Sequence, residues 1–332
     1  MVAAPGAIDV IVACHNASTT IIRALDSALA APQVRCVIVA DDASQDGTPD
    51  LVESRYPSRV TVLRAACNAG PAAARNRAIE HVQAPWFAIL DSDDFFLPGR
   101  FDAMPPAGDF DIWADNILFT NTPDRAARFA VPAVESDGAE PIDIERFLLG
   151  NLSNFRRRRH QLGFCKPVFD TAFFRACGAR YDEGLRLGED FVLVLGLLLA
   201  GARFRFTRRC GYVAVERSDS LSARHGLAEL AELLEAEEQL FRQCPLDGGA
   251  RRAFAKRIRE TRCKVNHMQT LARRRQEGVA LALAEALFLS PRDQFDMVGA
   301  IAMDKLHAVL AHLSPPTGSF GYYLQPQIGS GA

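Results

Sequence analysis

The chain has 332 residues and a mass of 36.3 kDa, is 48% hydrophobic and 23% charged, and carries a formal net charge of −2. That length buries a substantial core, and that balance excludes a disordered or fibrous chain. Near-neutral charge argues against nucleic acid as a partner, since a dedicated binder would be strongly basic.

Over the first hundred residues, short apolar runs alternate with helical patterns. IDVIVA (8–13) precedes a helix over 18–30, and RCVIVA (35–40) precedes one over 46–55. VTVLRA (60–65) precedes a helix over 70–82 opened by Gly-Pro, and WFAIL follows at 86–90. Runs that are apolar throughout are strands buried on both faces, hence parallel strands joined by crossover helices in an α/β doubly wound sheet. Beyond Pro98 the pattern loosens: residues 103–162 mix Pro, Asp and short strands with a basic run at 156–159. In GLRLGEDFVLVLGLLLAGARFRF an acidic pair opens a buried helix over 191–200 that leads into another strand. From about 225 the pattern is helical, with glutamates at 229, 232, 235 and 238 around an apolar face. A basic segment over 249–275, an apolar one over 278–289 and an amphipathic one over 295–313 follow, and the Pro- and Gly-rich tail from Ser314 is expected to be loosely held.

In a parallel sheet all carboxyl ends of the strands lie on one edge, the edge at which open α/β sheets bind ligands. Three polar clusters converge there: Cys14-His15-Asn16, Asp41-Asp42, and Asp91-Ser92-Asp93-Asp94. Three aspartates in four residues suit a hard divalent cation, Mg²⁺ or Mn²⁺, which keeps water and substrate phosphates in its shell. Asp42, with Asp41 beside it, accepts a nucleobase imide N–H or caps the next helix, and spacing does not choose between these. Arg75, one to two turns into its helix, meets a diphosphate or a structural ion-pair partner. The eight cysteines form no CxxC pair and read as reduced thiols, not as a zinc ribbon. The start is no secretory signal and the longest apolar run, 191–202, is short of the ~20 residues of a spanning helix. The expected location is therefore cytoplasmic, with a peripheral place on the inner face of the membrane open.

The succession VIVACHN, VIVADDASQDGT, NAGPAAARNRAI, WFAILDSDDFFLPGR and GLRLGEDF resembles family 2 glycosyltransferases of the GT-A fold. The match is close over 8–102, moderate over 163–224 and essentially absent beyond. The resemblance implies a mixed doubly wound sheet with a Rossmann-like nucleotide-binding half over 1–102 and an acceptor half over 103–222. Residues 223–332 would form an α-helical C-terminal extension. It further implies an inverting, metal-dependent enzyme (Mn²⁺ or Mg²⁺) with a UDP-sugar donor; the resemblance does not fix the sugar, for which glucose is the first choice and galactose and glucuronic acid stay open. Asp42 then matches the uracil-binding aspartate; Asp91 and Asp93 match the DxD motif, Asp93 on the metal and Asp91 near ribose or metal, with Ser92 between them. Arg75 lies near the nucleotide, Asp190 matches the catalytic base, and Glu189 lies near the acceptor. Two departures stand out: His15, before Asn16, replaces the usual Tyr of the first motif, and His225 follows an R-x-x-S-x-S-like stretch (Arg217, Ser220, Ser222) as an extra metal or phosphate ligand or a surface residue. The order KPVFDTAFFRACGARYDEGLRLGEDF is similar to succinoglycan-type exopolysaccharide transferases, which implies a polyprenyl-diphosphate-linked oligosaccharide acceptor. The basic segment 251–275, with ten Lys or Arg and one acid, either lies on an anionic membrane surface or packs on the core and pairs with the glutamates of 229–238. A haloacid-dehalogenase-type phosphohydrolase and a non-catalytic nucleotide-sugar binding module are the alternatives.

Overall fold

A computed structural model describes residues 4, 6–124, 126, 138–153, 160–216, 226–277 and 322–324. Arg217, Ser220, Ser222, His225, the basic run 156–159 and the segments 278–289 and 295–313 lie outside the described residues.

The first apolar runs form the expected parallel strands: β1 (Ile8–Cys14), β2 (Val34–Asp41), β3 (Val60–Arg64) and β4 (Trp86–Ile89). They stand in the order β3-β2-β1-β4. Ile8, Val10, Ile11 and Val12 are all fully buried, as a strand covered on both faces requires. Helices α1 (Ile21–Leu29), α2 (Thr48–Arg55) and α3 (Pro71–Ile79) make the crossovers. In α1 the buried residues Ile21, Ala24, Leu25 and Ala28 recur at helical spacing and form one apolar stripe.

Past β4 come the two-residue β5 (Phe95–Phe96), β6 (Ile112–Thr120), β7 (Glu140–Ile142), helix α4 (Ile144–Gly150), β8 (Val168–Asp170) and α5 (Thr171–Ala176). Helix α6 (Glu189–Leu199) then leads into β9 (Phe204–Val215). The sheet continues from β4 as β8-β6-β9-β5. Strand β8 is antiparallel to both β4 and β6, while β6 and β9 run parallel, so the sheet is mixed. Of the tail expected to be loosely held, residues 322–324 are described: β10 (Tyr322–Tyr323) pairs antiparallel with Phe119 and Leu118 of β6. Leu324, 1% exposed, donates its amide to the Ile117 carbonyl at 2.8 Å.

Two helices cover the far side of α4 and α6: α7 (Leu227–Gln243) and α8 (Gly248–Glu277). The apolar side of α8 faces the protein, with Phe254, Ile258 and Val265 buried, and Phe254 meets Phe241 of α7 edge-on at 5.4 Å. Arg257 pairs with the fully buried Glu237 at 2.8 Å and Arg262 with Glu238 at 2.6 Å. Of the two alternatives for this segment, packing on the core is the arrangement present, and it leaves no apolar face on 254–265 to insert into a membrane. Among the described residues no helix is long and apolar enough to cross a membrane. All eight cysteines are free thiols.

Candidate active site at the carboxyl edge of the sheet

The first two strand ends are stitched together. His15 Nδ1 lies 2.8 Å from the Asp42 carbonyl. A carbonyl only accepts, so Nδ1 carries the proton, and Nε2 is left to accept from the Asn16 amide at 3.1 Å. Asn16, in the left-handed region at φ 53, accepts from the Gln45 amide at 2.8 Å. His15 is thus locked in orientation by two loops, where the resemblance placed a Tyr. Asp41 and Asp42 are both buried. Asp41 accepts from the Ser44 amide at 3.1 Å. Asp42 does not cap α2: its two oxygens accept from the Ala69 and Gly70 amides at 2.9 and 2.8 Å, which fixes the turn into α3. The N-cap of α2 is Gly47, with no side-chain cap, and Asp46 before it accepts from the Thr48 amide at 3.1 Å.

Fixing that turn fixes Arg75. This guanidinium, 5% exposed, reaches three carboxylates: Asp91 and Glu189 at 3.0 Å each, and Asp190 at 3.5 Å. It also lies over the Tyr181 ring, 5.3 Å from the centroid. Lys166 closes the cluster from the other side, 2.9 Å from Asp91 and 2.9 Å from Asp190. One buried and one largely covered cation, Arg75 and Lys166, therefore face three carboxylates drawn from the end of β4 and the start of α6. Burial alone would raise the Asp190 carboxyl, but Lys166 and then Arg75 outweigh it and hold Asp190 below the ordinary carboxylate value. Asp91 is held low for the same reasons. Those cations, rather than the dipole of α6 alone, keep Asp190 ionised.

The start of α6 is set by Gly188, whose φ of 77 is the left-handed conformation that glycine tolerates. A Cβ there would stand 2.8 Å from Leu233 of α7. The helical extension therefore braces the turn that carries Glu189 and Asp190.

The Asp91–Asp94 loop is less uniformly acidic than its sequence implies. Asp94 is buried, its carboxyl bonded to the Tyr212 hydroxyl at 2.7 Å and the Val215 amide at 2.8 Å. Burial, with Asp91 and Asp93 close by, pushes its pKa well above the usual range. Asp94 is thus a buried strut to β9, and the count of three outward acids is corrected to two, Asp91 and Asp93, with Ser92 between them. Both are partly exposed at the ligand edge, and Arg23 anchors the loop by donating to the Asp93 carbonyl at 3.0 Å. Among the described residues no cluster of three or more Asp, Glu, His or Cys forms a closed metal cage. Asp93 and Asp91, the latter with Arg75 on one oxygen and Lys166 on the other, are hard oxygen donors of the kind a divalent ion prefers, and with so few of them such an ion would take much of its shell from water and phosphate.

Residues 9–105 match the family model for glycosyl transferase family 2. The chain is 36% identical over 325 residues to the succinoglycan biosynthesis protein ExoU of Rhizobium meliloti (strain 1021), covering 96% of this chain and 94% of that one. The chain belongs to glycosyltransferase family 2. A shorter match, 32% identical over 91 residues, is to the Escherichia coli UDP-Glc:alpha-D-GlcNAc-diphosphoundecaprenol beta-1,3-glucosyltransferase WfaP, and covers 27% of this chain and 36% of that one. The fold is that of S. aureus TarS 1-349, solved in complex with UDP-GlcNAc: TM-score 0.58 at 18% identity, over 88% of this chain and 79% of that one. Its solved relatives are GT-A glycosyltransferases, so the doubly wound mixed sheet with a helical C-terminal part is the family's architecture.

Within this family 2 glycosyltransferase the fold brings Asp91, Arg75, Glu189 and Asp190 into direct contact and keeps His15, Asn16, Asp41 and Asp42 together one strand away. Sequence reasoning missed Lys166, Tyr181 and Tyr212. Lys166 had one usable signal: with 34 Arg and 4 Lys, the chain departs from its own habit wherever it uses a lysine. The tyrosines carried none, because each acts through a carboxylate more than one hundred residues distant or on another element.

Proposed function

We propose that this enzyme moves a hexosyl group, glucose as first choice, from a UDP-sugar to a polyprenyl-diphosphate-linked oligosaccharide in exopolysaccharide assembly, inverting the anomeric centre. One observation carries the reading: the fold sets an ionised carboxylate, Asp190, beside the donor-side carboxylate Asp91 through shared cations. UDP as the leaving group is supported by WfaP, whose name specifies UDP-Glc, and by TarS 1-349, solved in complex with UDP-GlcNAc. A lipid-linked acceptor is supported by WfaP, and exopolysaccharide by ExoU.

Asp190 accepts the proton of the acceptor hydroxyl as that oxygen attacks the anomeric carbon from the face opposite the diphosphate. The new glycosidic bond forms as the bond to the UDP oxygen breaks, which inverts the centre. Glu189, beside the base, orients the acceptor, and Arg75 holds Glu189 and Asp190 in register with Asp91. Asp42, His15, Asn16 and Asp41 frame the base and ribose, with Arg75 toward the diphosphate. Asp93, with Asp91, would hold Mn²⁺ or Mg²⁺, which when bound supplies neutralisation of the departing diphosphate. His225 stays a candidate additional ligand. The enzyme works at the inner face of the cytoplasmic membrane, where the exposed cations Arg252, Lys256 and Arg274 of α8 attract anionic lipid without insertion.

A panel of nucleotide sugars, read as UDP release with and without a diphosphoundecaprenol-linked acceptor, tests the proposal. Acceptor-dependent UDP release that stops in excess EDTA supports it. Release of inorganic phosphate instead would favour the phosphohydrolase, and binding without any release would favour the non-catalytic module.

A further inference from the structure

Lys166 is a cation that neither the strand-end pattern nor the family motifs assign. Its ammonium sits at the same distance, 2.9 Å, from one oxygen of Asp91 and one of Asp190. Its side chain is 14% exposed. Burial opposes its charge, and the neighbouring Asp190 and Asp91 carboxylates outweigh this and raise its pKa.

The backbone that carries it is anchored on two sides. The Lys166 carbonyl accepts from Arg100 Nη2 at 2.6 Å, and Arg100 is itself buried and bonded to Asp115 at 2.8 and 3.0 Å. The next carbonyl, of Pro167, accepts from the Ile89 amide at 3.3 Å, at the end of β4 and two residues before Asp91. A buried Arg–Asp pair contributes little net stability by itself. Here it has a task, to hold the strap from which Lys166 reaches both carboxylates.

We propose that Lys166 is a positioning residue: its ammonium ties Asp91 to Asp190 and sets the distance at which the base meets the reacting centre. This rests on the assignment of Asp190 as the base. Arg75 also bridges Asp91 and Asp190, but it reaches Asp190 at 3.5 Å against 2.9 Å for Lys166 and is shared with Glu189, so Lys166 makes the tighter tie. An ammonium is compact enough to put one donor on each of two converging carboxylates, whereas a guanidinium is a planar fork.

The test compares Lys166→Met, Lys166→Gln and Lys166→Arg by three measurements: UDP affinity by calorimetry with Mn²⁺, kcat for UDP-sugar turnover, and a crystal structure. The expected Met variant keeps its UDP affinity, loses about 100-fold in kcat, as a misplacement of about 1 Å can cause, and shows the Asp190 carboxylate swung away from Asp91. Arg recovers part of the rate. If Met does not fold, Gln, which keeps hydrogen-bond donors without charge, takes its place. Near-normal kcat, an unmoved Asp190, or a loss residing in UDP affinity with kcat intact would overturn the proposal. Should the wild type bind UDP yet turn over no donor, the glycosyltransfer reading fails by itself, and the position of Asp190 in the variant structure still decides the tether.

Discussion

Replacing Arg75 with Met removes the charge and keeps an unbranched apolar stem to lie against Tyr181. Asp91, Glu189 and Asp190 are then left with Lys166, which reaches only Asp91 and Asp190. Removing one partner from a buried ion pair costs about 3–5 kcal/mol. Because Lys166 still neutralises two of the three acids and Glu189 keeps some solvent, the lower end applies, about 3 kcal/mol. At roughly 2 °C per kcal/mol for a chain of this size class, the melting temperature at neutral pH falls by roughly 6 °C. The sign of the pH dependence follows from the same contacts. Asp91 and Asp190 are held below their ordinary values, so the stability they contribute is present above the unfolded carboxylate pKa of 3.8 and is lost as pH falls through their folded values. The deficit of the variant should therefore shrink in acid. Thermal unfolding of both proteins from about pH 7 to about pH 2 measures it, a range that runs from above the ordinary carboxylate pKa to well below it. An equal melting temperature at neutral pH, or a deficit as large in acid, would refute the charge argument and leave only packing.

Asp94→Asn mimics the protonated carboxyl that burial favours, so it should preserve the bonds to Tyr212 and Val215. A carboxyl raised on folding stabilises fully below the unfolded value of 3.8 and loses this as pH rises through the folded value, so the Asn variant should gain on wild type in melting temperature as pH increases. Gly188→Ala places a Cβ 2.8 Å from Leu233 at a φ of 77, and should lower both melting temperature and turnover, with Leu233→Ala relieving the clash but not the strain. Vesicle co-sedimentation should depend on anionic lipid and weaken with salt, and the Arg252→Ala, Lys256→Ala double variant should bind less; indifference to both would leave α8 as a packing helix alone.

The sheet was legible because strands buried on both faces are apolar throughout, and the edge could be found because each strand ends abruptly in polar residues. Element ends shifted by a few residues, as with the helix expected at 18–30 and found at Ile21–Leu29. What the chain alone did not reveal is which acids face outward. Asp94 differs from Asp91 and Asp93 through Tyr212 and Val215 of β9, a strand reached only after the sheet has reversed direction. Asp42 could be read as a cap because its true partners, the amides of Ala69 and Gly70, carry no side-chain signature. The apolar side of α8 looked equally suited to lipid and to protein until its partners on α4 and α7 were placed.

The central claim is that Asp190 removes the proton from the acceptor. Asp190→Asn retains volume and hydrogen bonding but cannot take a proton, so with UDP-sugar and acceptor saturating its turnover should drop by about 10²–10⁴-fold, the contribution of a positioned general base. UDP affinity should stay within the range of wild type, since the loss belongs to the chemical step. An Asn variant that turns over at a near-normal rate, with the product's anomeric configuration retained from the donor, would contradict the account.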